Sequence, residues 1–481
     1  MKLTSNQHDR AAGVLLGLAC GDALGVGYEF SDPMPDAAFV TMRGGGSDGL
    51  APGEWSEVTA MTLEVARASA AGLDVREEAV LDGIVAHWAA GTAPPSDAPA
   101  TDAPTTAAAW RARAGQHHER HARSVDNRSL LRSAAVAIAY LDDPKALAEA
   151  ARVVNALTHD QADAEDACVL WGLAIRHAVL HGELNVRIGL STLPENRRPL
   201  WWERLDEADR LPPSAFDRND GVVQALQGAW SSVTNLVVIK EIGHTDADFL
   251  RQSIENAVRG GRDTARVAAL TGAIAGALWG ASAVPAEWRR IVHGRPGLGA
   301  TDLVRLGVLA ARAGVPDVHG WPSGARFDYK RYGGTSALVR HPHDRGVWLG
   351  GVGALDRLPA QVDAVVSLCR VGTEQVPAGI REHIAVWLVD DPRPEMNPNL
   401  DFVLVDTVDE IAALRAEGHI VFVHCVQAIS RTPAVAALYS ARHCRVPMEQ
   451  AVADIAEVLP AARPNLAFRQ ALAPKIMRIA S

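Results

Sequence analysis

The sequence predicts two domains of different class, an all-α domain followed by an α/β domain. Three observations predict it. The chain has 481 residues, more than a single hydrophobic core ordinarily serves. Up to about Gly314 the apolar residues recur at helical spacing with abundant Ala and Leu, whereas beyond Arg345 they gather into short runs bounded by turn residues. Between them, Val315 to Arg345 trades Ala-rich helices for Gly, Pro and aromatics. The boundaries are therefore 1–315 for the first domain, 316–344 for a linker and 345–481 for the second.

In the first domain, Ala11–Cys20 is apolar and ends in cysteine, as a lipoprotein signal would. Asp9 precedes it and it runs straight into GDALG, so it reads as a buried first helix. Gly91–Ala109, rich in Pro, Ala and Thr, reads as an exposed loop. Helices are expected at Asp166–His181 and at Val222–Val237, the latter behind the turn-forming Asn219, Asp220 and Gly221. The segment from Val267 to Ala286 carries no charge over a membrane-spanning length. Its Ala and Gly content, with Gly272, Gly276 and Gly280 four residues apart, fits a buried helix packed closely on a neighbour. In the second domain, Val347–Gly351, Ala364–Cys369, Ile384–Val389 and His419–His424 read as buried strands. Helical patterns such as Asp401–Glu417 lie between them, predicting a sheet with helices on both faces.

Composition narrows the function classes. Hydrophobic residues at 48% and charged residues at 22% place the chain among globular proteins, not disordered ones. A net charge of -10 argues against nonspecific nucleic-acid binding, which needs a basic surface. Five scattered cysteines without CxxC spacing suit reduced thiols in a cytoplasm and imply neither a disulfide framework nor structural zinc. The histidines of Gly115–Arg123 read as a solvated, charged segment, and the tryptophans as core residues.

The most informative stretch is HCVQAISRT, His424 to Thr432, set between an apolar strand and a helical pattern opening at Pro433. A loop at a helix N-terminus turns backbone N–H groups inward, which binds phosphate and stabilises a thiolate. Cys425 then serves as a nucleophile toward phosphorus, and Arg431 can grip two phosphate oxygens and offset their charge in the transition state. The leaving alkoxide needs a proton from another loop, for which Asp391 in LVDDPRP is the first choice and Asp390 the alternate.

HCx5RT after a strand resembles the dual-specificity branch of the protein tyrosine phosphatase superfamily, over roughly Arg345 to Ala473. The resemblance implies Cys425 as nucleophile, Arg431 as phosphate binder and Asp391 as general acid, with Ser430 or Thr432 assisting the thiolate and His424 beside it. No cofactor is implied. The family loop usually carries glycine three residues after the cysteine, where this chain has Ala428.

Arg10–Phe30, with Asp22 and Glu29 near a Gly-rich turn, stands with GEWSEVTAMT (Gly53–Thr62), DNRSLLR (Asp126–Arg132), NALTHD (Asn155–Asp160), NDGVVQALQGAW (Asn219–Trp230) and GRDTARVAALTGAIAGALWG (Gly261–Gly280). In that order these segments resemble the ADP-ribosylglycohydrolase family over residues 10–315. The resemblance implies an orthogonally packed all-α domain that cleaves the glycosidic bond to ADP-ribose at two magnesium ions, held by TDDT and DTDT motifs. Here those motifs read Ser56, Glu57, Val58, Thr59 and Asp263, Thr264, Ala265, Arg266. Val58 and Ala265 cannot bind metal, and Arg266 brings a permanent cation. Ser56, Glu57 and Asp263 remain as metal candidates, so the Mg2+ centre is expected to be lost or weakened. Asp22, Glu29, Ser56, Glu57, Thr59, Asp263 and Arg266 are then expected to form a ligand site in which the guanidinium holds a phosphate or ribose.

Together these readings predict a cysteine-dependent phosphatase acting on a phosphate monoester, fused to a domain that binds a small-molecule or protein-linked ADP-ribose or nucleotide phosphate. Neither nucleic acid nor membrane is an expected partner. Two other readings compete: a bifunctional enzyme that also hydrolyses ADP-ribosyl bonds, and a noncatalytic binding protein.

Overall fold

The computed structural model describes residues 2–92, 104–121, 126–236, 245–334 and 336–473. It divides into two compact units, one built almost entirely from residues up to Val315 and one from Pro316 onward.

The first unit is helical. Its axis is the helix Ser5–Gly25, opened by a capping box between Thr4 and Gln7 and buried along nearly its whole length. By length and composition alone the Ser5–Tyr28 stretch could cross a membrane, but 94% of its most apolar 18-residue window is buried inside the protein. It runs antiparallel to the helix Thr264–Trp279, backbone against backbone. A Cβ on Gly272 would lie 1.9 Å from the Gly17 carbonyl oxygen, and one on Gly276 1.9 Å from that of Gly13. Two of the three glycines picked out by spacing thus make the helix contact, and matching glycines on the first helix complete it. Gly280 does something else: at φ 91° it ends the helix.

Helices also form at Ala162–His181 and Val222–Thr234, near the expected bounds, Val237 lying outside the described residues. Most of the Gly91–Ala109 loop lies outside them too. The histidine-rich stretch is solvated, with Gln116, His117, Glu119, Arg120 and His121 exposed, but helical: Gly115–Arg120 ends the helix Ala107–Arg120, and His117 and His121 stack at 4.5 Å.

The second unit is organised by a five-stranded sheet of β1 (Leu338–Arg340), β2 (Val347–Gly351), β3 (Ala364–Ser367), β4 (Glu382–Ala385) and β5 (Val421–Cys425). Their order is β1-β2-β5-β3-β4, with β1 antiparallel and the rest parallel. Central β5 is buried on both faces, which is why its sequence is a continuous apolar run. Val421 and Val423 face a core shared with the helices Leu400–Ala416, Arg431–His443 and Met448–Val458, whereas Phe422 faces a second, smaller core.

That second core corrects the expectation of helices on both faces. Its covering is the short 3-10 turn Val352–Arg357 and residues such as Tyr329, and no α-helix forms in the connections from β2 to β3 and from β3 to β4. The segment expected as a linker is likewise part of this unit. Phe327 and Gln375 exchange backbone–amide hydrogen bonds, Asp317 pairs with Arg370, and Trp321 packs edge-on against Trp387.

Candidate functional sites

In the second unit, β5 delivers Cys425 to the carboxyl end of the sheet, and the helix Arg431–His443 begins six residues later. The loop between is held by its carbonyls. Val352 N–H donates to the Val426 carbonyl at 3.1 Å, and Arg463 N–H to that of Ile429 at 2.6 Å. Among the described residues, no backbone N–H from Val426 to Arg431 donates to a backbone carbonyl. Ala428 sits at φ 57°, the left-handed conformation that explains why glycine is usual there. The helix dipole adds positive potential at the same place.

Arg431 is buried, 8% exposed, and is clamped from one side: its Nη1 donates to the Leu368 and Leu388 carbonyls at 2.7 and 3.1 Å. Its Nε has no hydrogen-bond partner. A buried guanidinium fixed by one nitrogen with another left unsatisfied is prepared for an anion.

The two acid candidates sit differently. Asp391 is held by Arg393 through two hydrogen bonds at 2.9 and 2.7 Å, which pull its carboxyl down to about 2. Asp390 instead faces the site, 3.6 Å from Arg431 Nε and fixed by Asn465 Nδ2 at 2.9 Å. The hydroxyls also differ from expectation. Thr432 donates to the Gly350 carbonyl at 3.4 Å, and Ser430 accepts from Asn465 N–H at 3.2 Å, so both brace the loop and neither bonds the sulfur. His424 is fully buried, which pushes its pKa down to about 3; the neutral ring contacts Ser367 at 2.8 Å and the Cys425 carbonyl at 3.2 Å.

In the first unit the two motifs expected to share a site do so. Asp22 Oδ2 accepts from Ser56 N–H at 3.0 Å, from the Ser56 hydroxyl at 2.9 Å and from the Thr59 hydroxyl at 2.5 Å. Burial nonetheless pushes Asp22 up to about 6, against the lowering effect of those bonds and of Arg266. Asp263 Oδ2 accepts from Asn127 Nδ2 at 2.8 Å and from Arg266 Nη1 at 3.0 Å. Glu29 lies in the same field: burial raises its pKa, Arg266 opposes the rise, and Asp263 and Asp22 add to it. Four buried atoms here lack partners: Asp22 Oδ1, Asn127 Oδ1, Asp263 Oδ1 and Arg266 Nε.

Glu57 opens the helix Glu57–Ala70 and lines a cavity of about 350 Å³ with Trp110, His117, Asp126, Arg128 and His159. Burial opposes the charge on Asp126, but His159, 2.9 Å away, and Arg128 outweigh it and hold its pKa well below the carboxylate range. Asn127, Asp126 and His159 were missed as individual site residues, although each lies in a motif that carried the family resemblance.

The ADP-ribosylglycohydrolase family model matches residues 3–316. The chain belongs to the ADP-ribosylglycohydrolase family. An ADP-ribosylarginine hydrolase Tri1 from Pseudomonas putida (strain GB-1) is 27% identical over 287 residues, covering 58% of this chain and 73% of that protein. Its namesake from Serratia proteamaculans (strain 568) is 44% identical over 73 residues, 15% of this chain and 20% of the other. Among solved structures, an ADP-ribosylglycohydrolase-related protein complex shares 21% identity at a TM-score of 0.46, covering 65% of this chain and 100% of that one. Human DUSP28 shares 25% identity at a TM-score of 0.26, covering 30% of this chain and 96% of its own.

Members of this hydrolase family are typically metal-dependent. The side chains present do not fit a two-ion centre. Val58 and Ala265 are buried and carry no donor atom, and the Arg266 guanidinium already pairs with Asp263. Among the described residues no three His, Cys, Asp or Glu side chains are grouped to hold a metal.

Proposed function

We propose that the second unit hydrolyses a phosphate monoester. One observation supports this reading: among the described residues no amide of Val426–Arg431 donates to a backbone carbonyl, and the Nε of buried Arg431, ion-paired with Asp390 at 3.6 Å but without a hydrogen bond, lies at the loop that opens at Cys425. Cys425 thiolate attacks phosphorus as the ester oxygen departs with a proton from Asp390, leaving a phosphocysteine. Water then attacks that phosphorus, Asp390 takes the water's proton, and phosphate leaves as the thiolate is restored. The amides and Arg431 stabilise the equatorial oxygens in both steps. The test is release of phosphate from an aryl phosphate in EDTA. Turnover by the wild-type chain and none by Cys425→Ser is the expected result; equal rates in the two would remove the proposal.

For the first unit we propose recognition of an ADP-ribose-type ligand, supported by the family match and by the buried polar atoms left without partners. Hydrolysis of an ADP-ribosyl bond is the second reading, favoured by the relatives named as ADP-ribosylarginine hydrolases. Free ADP-ribose released from a modified arginine, abolished by Asp263→Ala but not by Cys425→Ser, would select it over binding alone.

A further inference from the structure

We infer that the first unit's site binds its ligand without a divalent ion, with Arg266 as its resident cation. This rests on the proposed recognition of an ADP-ribose-type ligand and specifies how that ligand is held.

Asp22 and Asp263 are almost completely buried, and burying a carboxylate is costly unless a cation or several donors accompany it. The donors are unevenly placed. Each carboxylate has one oxygen fully engaged, Asp22 by Ser56 and Thr59, Asp263 by Asn127 and Arg266, and one oxygen with nothing. Among the described residues, the positive charge that contacts Asp263 is Arg266, at 3.0 Å, from the first turn of the helix Thr264–Trp279. The residue before it, Ala265, and Val58 on the opposing helix contribute only carbon.

A guanidinium in this position does what an ion would do for charge, but it leaves different chemistry. It cannot take a ligand oxygen into a coordination shell or activate water; it offers N–H donors in a fixed plane. Its Nε is one unsatisfied donor, and Asp22 Oδ1, Asp263 Oδ1 and Asn127 Oδ1 are three unsatisfied acceptors. A group bearing adjacent hydroxyls fits that inventory, because each hydroxyl donates to one acceptor and can accept from the arginine. The ligand class is therefore a cis-diol sugar, held by direct hydrogen bonds.

Two measurements on the full chain test this. Mn2+ titration followed by electron paramagnetic resonance should show no saturable site in the wild-type chain, whereas the Val58→Asp/Ala265→Asp/Arg266→Thr variant should gain one. Stoichiometric Mn2+ on the wild type, lost in Asp263→Asn, would overturn the inference even if the triple variant fails to fold. Calorimetry with ADP-ribose in EDTA should show binding that added Mg2+ leaves unchanged and that Arg266→Ala weakens at least about tenfold. Binding that requires Mg2+, or none in any condition, would equally overturn it. Phosphate release through Cys425 is independent of both outcomes, so failure here is distinct from failure of the phosphatase proposal.

Discussion

The two sites differ in what builds them. Around Cys425 the anion cradle is mostly main chain: amides freed because their neighbouring carbonyls are tied to Val352 and Arg463, with one arginine clamped by the Leu368 and Leu388 carbonyls. Around Asp263 the site is mostly side chain, and there a handful of substitutions replaces one chemistry with another. A backbone-built site tolerates even Ala428 at φ 57°, where glycine is easier, because the fold and not the side chain sets the geometry. A ligand sphere built from carboxylates has no such reserve: Val58 and Ala265 each delete a donor outright.

That contrast can be sharpened by variants, beginning with the largest effect. Arg431→Lys should lower kcat for an aryl phosphate by about 10²–10³, since a single ammonium nitrogen cannot reach both carbonyls and also present two donors side by side to phosphate. A loss under tenfold would mean the backbone alone suffices. Asp390→Asn should cost about 10²-fold with a substrate whose leaving group is poor, and Asp391→Asn only a few-fold. The reverse order would return the acid role to Asp391.

Smaller effects concern stability. Burial pushes His424 down to about 3 and His341 to about 4, from an ordinary 6.5. Folded, both rings stay neutral, so below pH 6.5 the unfolded chain takes up protons that the folded one refuses. Stability carried by the second unit is therefore complete above pH 6.5 and drains as pH falls toward 4, by about 1.4 kcal/mol per pH unit for each histidine. Urea midpoints measured at pH 7 and pH 5 should fall accordingly, and His341→Asn should shrink the fall. Ala428→Gly is the mildest change: relief of the left-handed strain should stabilise the chain by about 1 kcal/mol, read as a shift in the same midpoint.

Much of this was legible in the sequence because local pattern decides it. Four-residue glycine spacing announced the close helix pair, and the apolar runs marked the central strands to within two residues at β2 and β5. The cradle was legible because HCx5R carries its own backbone geometry. What escaped was set by partners distant in sequence. Asp390 and Asp391 are adjacent and alike, and only Arg393 on one side and Asn465 on the other separate them. Segment 316–344 looks like a linker by composition, yet Phe327 finds Gln375 and Asp317 finds Arg370. The apolar edge of β4 stops at Ala385 although the hydrophobic run continues to Val389, because Val389 exchanges hydrogen bonds with the Asn397 side chain rather than with a strand.

The central claim is that sulfur at position 425 forms a bond to phosphorus. Acid-quenching the Asp390→Asn chain during turnover of an aryl phosphate and mapping its peptides by mass spectrometry tests this most directly. One phosphoryl group on the peptide holding Cys425, absent from the Cys425→Ser chain, is the predicted result. Phosphate release with that peptide unmodified, or with the phosphoryl group on another residue, would contradict it.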